Sequence, residues 1–300
     1  MIERAHRLIV LAALTLAPTI AAMHAQPARA RTPVRLVIHP RVGDTLRLRY
    51  EQRTDVRGDD EGPMERSVST FITVHAHSIV EASEPALTTV RASTDSGWVR
   101  FRTVDPRPGV GVTEQKMMLP QVGSKMRVQV ATDGATEVVS AAGAGGGSLS
   151  ALLSQSPAML PKLPVAVGDT WVRDIPLPSA ASVALRGAGD VAGTVRARFR
   201  FDSLTARGKR AFVSVTAALR RDGTRPDAAN GARVVSSGTL RGTLVLDRER
   251  AWMVEMRTSV SLVSDLVPGA GDLPPPMLFA PLGRSPRRAV VQIDQFMQTR

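Results

Sequence analysis

The stretch Val42-Gly43-Asp44-Thr45-Leu46-Arg47-Leu48-Arg49-Tyr50 decides the fold, and its first four residues recur as Val167-Gly168-Asp169-Thr170, 125 positions later. Glycine reaches a backbone conformation closed to other residues, aspartate bonds neighbouring amides to shape a turn, and threonine opens a strand. After the turn, Leu46, Leu48 and Tyr50 alternate with Arg47 and Arg49, the period of a strand covered on one face. The offset of 125 also relates Thr70-Phe71-Ile72-Thr73-Val74-His75 to Val195-Arg196-Ala197-Arg198-Phe199-Arg200. It relates Ala86-Leu87-Thr88-Thr89-Val90 to Ala211-Phe212-Val213-Ser214-Val215 in the same way. These matches predict an all-β, mainly antiparallel chain: an internally duplicated meander or half-barrel, with the turn residues Gly43, Asp44, Thr45, Gly168, Asp169, Thr170 and Trp171 as its punctuation.

Working outward, Val68, Ile72, Val74 and Ala76 alternate with Ser69, Thr73, His75 and His77, and Val195, Ala197, Phe199 and Phe201 with Arg196, Arg198 and Arg200. Trp252, Val254, Met256, Val260 and Leu262 are expected to share a face. Asp133-Gly134 marks a hairpin, and its counterpart is Asp247-Arg248-Glu249-Arg250. There the offset drops to about 114, an insertion between the pairs. Between the units, the run Ala141-Ala142-Gly143-Ala144-Gly145-Gly146-Gly147-Ser148 reads as a flexible linker. Leu149, Leu152 and Leu153 then predict one short helix within 149–159, stopped by Pro157, Pro161 and Pro164. Pro274-Pro275-Pro276 bars 266–288 from a central strand, since proline lacks the ladder donor, and a terminal strand follows over 289–296. The organisation expected is a signal at 1–30, a first β-unit at 31–140, linker and helix at 141–160, and a second β-unit at 161–300. Whether the two units form one sheet or two stays open.

The amino terminus has the form of an export signal: Arg4 and Arg7, an apolar run over 8–23 too short for a bilayer span, then Ala28-Arg29-Ala30 as a cleavage site. A cut after Ala25 is the alternative. Cysteine is absent, which excludes disulfides, thiolate metal sites and cysteine nucleophiles. A periplasmic or secreted location is expected, with no transmembrane segment after signal cleavage. The net charge of +12 is carried by arginine, with lysine only at Lys116, Lys125, Lys162 and Lys209. Scattered arginine and a single tyrosine point away from nucleic acid, which needs clustered charge and stacking platforms.

Candidate chemistry is sparse. His75 and His77 share a strand face and offer two ligands to a metal, one short of a catalytic zinc site unless sheet pairing delivers His39. No Gly-x-Ser-x-Gly elbow is present, and the run Gly145-Gly146-Gly147-Ser148 lacks the Gly-Lys-Ser/Thr that closes a phosphate loop. The acids Asp55, Asp59, Asp60, Glu61, Asp202, Asp222 and Asp247 read as solvated turn residues. Arg196, Arg198 and Arg200 form a stripe that suits an anionic head group or simply faces water. Met117 and Met118 read as an adaptable apolar lip or as core filling.

The phrase Leu160-Pro161-Lys162-Leu163-Pro164-Val165-Ala166-Val167-Gly168-Asp169-Thr170-Trp171 resembles the Leu-Pro…Pro-Val-x-Val-Gly-Asp-x-Trp signature of an uncharacterised family of exported bacterial proteins, a domain of unknown function. The opening Arg41-Val42-Gly43-Asp44-Thr45-Leu46 matches the same family's first strand. More remotely, the duplicated meander is similar to the half-barrel lipoprotein carriers of the LolA kind. The resemblance implies an extracytoplasmic β-protein and brings no activity, cofactor or catalytic residue. The function expected is therefore non-enzymatic binding of an apolar or amphipathic envelope ligand such as a lipid. The alternative is an interaction or assembly module acting through sheet edges, and a hydrolase stands third.

Overall fold

The structure, a computed structural model, describes residues 32–59, 66–105, 111–120, 122–142, 157–176, 194–205, 207–224, 233–267 and 288–300. The expected signal, the linker from 143 onward, all but the end of the expected helix and nearly all of the proline-rich segment lie outside these residues. The alternating stretches become twelve strands: β1 (Thr45–Asp59), β2 (Arg66–Ser83), β3 (Leu87–Asp105), β4 (Gly111–Met118), β5 (Lys125–Ala131), β6 (Thr136–Ala142), β7 (Thr170–Pro176), β8 (Thr194–Leu204), β9 (Arg210–Thr224), β10 (Arg233–Asp247), β11 (Trp252–Val267) and β12 (Arg288–Thr299). No helix occurs among the described residues.

All strands belong to one antiparallel sheet ordered β6-β5-β3-β2-β1-β12-β11-β10-β9-β8-β7, with β4 added to the far half of β3. The question of one sheet or two is settled by β12. It pairs with β1 from Leu48↔Thr299 to Asp59↔Arg288 and with β11 on its other side, so the last strand joins the two halves. Its sequence suits a central place, because Ala289, Val291 and Ile293 are all buried on one face.

Both Val-Gly-Asp-Thr turns are built by the same bonds. Asp44 Oδ2 accepts the Arg41 amide at 3.0 Å, and Asp169 Oδ2 accepts the Ala166 amide at 2.8 Å. The Gly43 amide donates to Val80 O and the Val80 amide to Asp44 O; Gly168, Phe201 and Asp169 repeat this pattern. Gly43 and Gly168 take φ of 87° and 97°, in the left-handed region that disfavours a side chain. A one-residue bulge follows in each half, leaving Glu81 and Asp202 unpaired in the ladder. Val80 thus corresponds to Phe201, an offset of 121 rather than 125, because the first hairpin of the second half is four residues shorter.

Opposite edges of the sheet meet at the end that carries these turns. The Met159 and Leu160 amides both donate to Asp133 O, in the β5–β6 turn, at 2.9 Å. Met159 O accepts Trp171 Nε1 at 2.9 Å and Leu160 O accepts an Arg173 guanidinium NH2 at 2.7 Å, both from β7. In a flat sheet those partners would stand about 45 Å apart, at about 4.8 Å per strand. The sheet is therefore rolled at this end. A second staple reinforces it: Ile38 and His39 donate to Thr132 O and Ala251 O in two different hairpins, and Val34 bridges Val165.

The concave face holds the core, led by Phe199, Phe201, Leu36, Leu262 and Ile293, with Trp171 stacked on Phe199 at 5.8 Å. Gly238 and Gly242 let β10 and β11 approach closely there; a Cβ on Gly242 would sit 2.5 Å from Arg257 O.

Three expectations need correction. A bulge at Val245/Leu246 places Met253, not Val254, opposite Leu246, so Val254 drops out of the core face on which Trp252, Met256, Val260 and Leu262 lie. Met117 and Met118 are not core filling but lie exposed on β4. Asp55, Asp202 and Asp222 lie in strands rather than turns, because the ladders run further than the turn signals suggested.

Candidate functional site

Alternation along β1, β2, β3, β5, β11 and β12 carries side chains onto the concave face, and at its centre they leave a cavity of about 160 Å³. Ile38, Gly134 and Met159 line it beside the staples, and Leu46, Val90 and Val128 form part of its wall. Met126, Met159, Met253, Met256 and Met297 all line it, five of the chain's eleven methionines. Unbranched thioether chains adapt to irregular apolar shapes, and they recur at surfaces that bind varied apolar partners. A cavity of about this volume accepts one benzene-sized group.

One wall is polar. Gln52 Oε1 accepts both Tyr50 Oη at 2.6 Å and Gln295 Nε2 at 3.0 Å. Gln295 Nε2 also donates to Tyr50 Oη at 3.1 Å, Thr258 Oγ1 donates to Gln295 Oε1, and Gln52 Nε2 donates to Thr54 Oγ1. Tyr50 lines the cavity and is 7% exposed. Burial pushes its phenol well above the ordinary range, and the hydrogen bond from Gln295 opposes this in part. Its one proton is held by Gln52, and of the network only the phenol lines the cavity.

The histidines lie on the other face. His77 Nδ1 contacts Asp95 Oδ1 at 2.6 Å, and His75 stands opposite Arg49 and Ser96. His39 is at Ser83 Oγ, 3.3 Å away, six ladder positions or about 20 Å from His77. Glu81 is engaged by Arg91 and Arg127. Among the described residues no three metal-ligating side chains of the His, Asp or Glu type converge.

Arg196, Arg198 and Arg200 project from β8 on the face away from Val195, Ala197 and Phe199, so stripe and cavity lie on opposite sides of the sheet. Asp174 stands opposite Arg196, and Asp202 lies 3.9 Å from Arg200. Asp44 and Asp169 are each committed to their own turn.

The methionine cluster and the Gln52–Gln295 pair escaped the reading of the sequence. Gln52 and Thr54 continue the apolar phase of Leu46, Leu48 and Tyr50, and a polar residue in a core phase is the signal that could have found them. The chain matches no protein-family model, and no curated protein matches it.

Proposed function

We propose that this is an extracytoplasmic, non-enzymatic protein that holds the apolar part of an amphipathic envelope molecule on the concave face of its rolled sheet. The observation that carries the reading is the methionine-lined cavity, since protein interiors are ordinarily close-packed and here side chains flexible enough to fill a gap leave an apolar space open. Its volume suits a ring or the tip of an acyl chain rather than a whole lipid. The export signal supports the location, and the Leu-Pro…Trp phrase supports membership of the exported family. Two β-units of common origin are supported by the matching turn bonds, the matching bulges and a strand order, β1-β2-β3-β5-β6, that β7 to β11 repeat.

The test is uptake of cis-parinaric acid by the purified protein, followed by its fluorescence and by displacement with decanoate. Ala92→Leu, which projects new atoms into the cavity, is expected to abolish uptake while leaving the fold intact. Absence of uptake by the unaltered protein overturns the proposal. A second reading, strand addition by a partner, draws on Val139 of β6 and Val172 of β7, exposed at 56% and 41% on the two outermost strands. A complex that forms with a protein partner and is lost in Val172→Pro, with no uptake of the probe, would favour it.

A further inference from the structure

The convex face of a sheet that covers its core on the other side has no folding need for aromatic rings, yet three lie there together. Phe71, Phe296 and Trp98 belong to neither core cluster, and each is covered by cations. Arg53 and Arg100 stack on Phe71 at 5.3 and 4.6 Å, Arg257 on Phe296 at 4.9 Å, and Lys116 on Trp98 at 4.7 Å. Strand register explains the grouping. Arg241, Ser259, Asp294, Arg53, Phe71 and Arg100 are successive direct neighbours across six strands. Thr243, Arg257, Phe296, Glu51, Thr73 and Trp98 form the adjacent row.

These rows form most of the lining of a trough of about 930 Å³ that runs across the strands. Its lining holds four guanidiniums, those of Arg53, Arg100, Arg241 and Arg257, against the two carboxylates of Glu51 and Asp294. Three of the guanidiniums also have acidic neighbours: Arg53 with Asp55 at 2.7 Å, Arg257 with Glu255 at 2.8 Å, and Arg100 with Glu114 at 3.7 Å. Arg241 has no ion pair among the described residues and is left to meet an outside anion.

We propose that this trough binds an acidic oligosaccharide laid across the strands, with Arg241 and Arg100 meeting its carboxylates and Phe296 meeting its rings, while Trp98, the ladder neighbour of the lining residue Thr73, stands beside it as a reporter. Guanidinium forks match carboxylates. Threonine and serine hydroxyls, with Glu51 and Asp294, accept hydrogen bonds from sugar hydroxyls. The same two carboxylates would meet hydroxyl donors on a uronic-acid oligomer, which the phosphodiester backbone of a DNA strand lacks. The proposal is independent of the cavity on the other face.

The experiment is calorimetric titration of the whole protein with a uronic-acid oligomer, oligogalacturonate, read in parallel by tryptophan fluorescence. Neutral cello-oligosaccharide and oligothymidylate serve as comparators. Saturable binding is expected, weakened by salt and weakened about tenfold in Arg241→Gln, as suits the loss of a charged hydrogen bond. Arg100→Gln is a second variant with the same expectation should the first fold poorly. Arg198→Gln on β8 is expected to bind like the unaltered protein, and uptake of cis-parinaric acid is expected to be unchanged in all three. No binding of the oligomer, oligothymidylate bound as tightly or more tightly, or an equal loss in Arg198→Gln each overturns the proposal.

Discussion

Tyr50 is the chain's only tyrosine, so any phenolate signal from the protein reports the concave face directly. Its side chain is buried and its proton is held by Gln52, which raises the folded-state pKa above the unfolded value of about 10. The direction fixes the pH window. Stabilisation from the neutral phenol is complete below pH of about 10 and is lost as pH rises above it toward the folded pKa. Over that range the unfolded chain has released a proton that the folded chain retains, so stability falls by about 1.4 kcal/mol per pH unit. Alkaline titration followed by near-ultraviolet absorbance should show no phenolate while circular dichroism remains native, then phenolate and unfolding together. In Tyr50→Phe this component of the alkaline slope should vanish. The variant loses two hydrogen bonds, one donated to Gln52 Oε1 and one accepted from Gln295 Nε2, but leaves neither atom without a partner, because Gln52 Oε1 still accepts Gln295 Nε2 at 3.0 Å. Its stability at neutral pH should therefore drop by about 1–3 kcal/mol in chemical denaturation. Reversible phenolate formation near pH 10 in the folded protein would refute the buried network around Tyr50.

Gly242→Ala forces a Cβ to 2.5 Å from a backbone oxygen and to within 3.0 Å of Val215, so β10 must shift; a loss of about 1–3 kcal/mol is expected in urea unfolding, and an unchanged midpoint counts against the close approach. Asp44→Ala and Asp169→Ala each remove a carboxylate that accepts a turn amide, and each should cost about 1 kcal/mol. The turns share no partner, so the double variant should be additive; strong coupling would show that the two turns are not independent. Trp171→Phe keeps the stack on Phe199 but loses the bond to Met159 O, and hydrogen exchange should quicken at the Met159 and Leu160 amides ahead of the sheet. Equal protection in the variant would mean that the staple does not hold the rolled end closed.

Much of this was open to a reader of the sequence, and the division follows interaction range. Period-two alternation and turn chemistry are local, so Leu46-Arg47-Leu48-Arg49-Tyr50 announces a half-covered strand wherever it is placed, and Gly43 and Asp44 shape their turn with neighbours three residues away. The all-β class and the faces of most strands follow from such signals. Register over distance does not: the four-residue difference between the first hairpins is invisible until Val80 and Phe201 are seen on the same turn bonds. The expected place of Val254 failed for a related reason, since a bulge depends on the partner strand as well as on its own residues.

The sequence alone determined that this chain would form antiparallel strands with one arginine-rich face and one apolar face, because side-chain direction in a strand is set by residue parity. Tertiary structure alone decided that β12 would join the halves and that Met159 would bridge edges nine or ten strands apart. It also gathered five scattered methionines around one cavity, and it set Arg241, Arg53 and Arg100 in one row on the face behind. Each of these depends on which strand lies beside which, and that order is fixed by burial summed over the whole sheet rather than by any one segment.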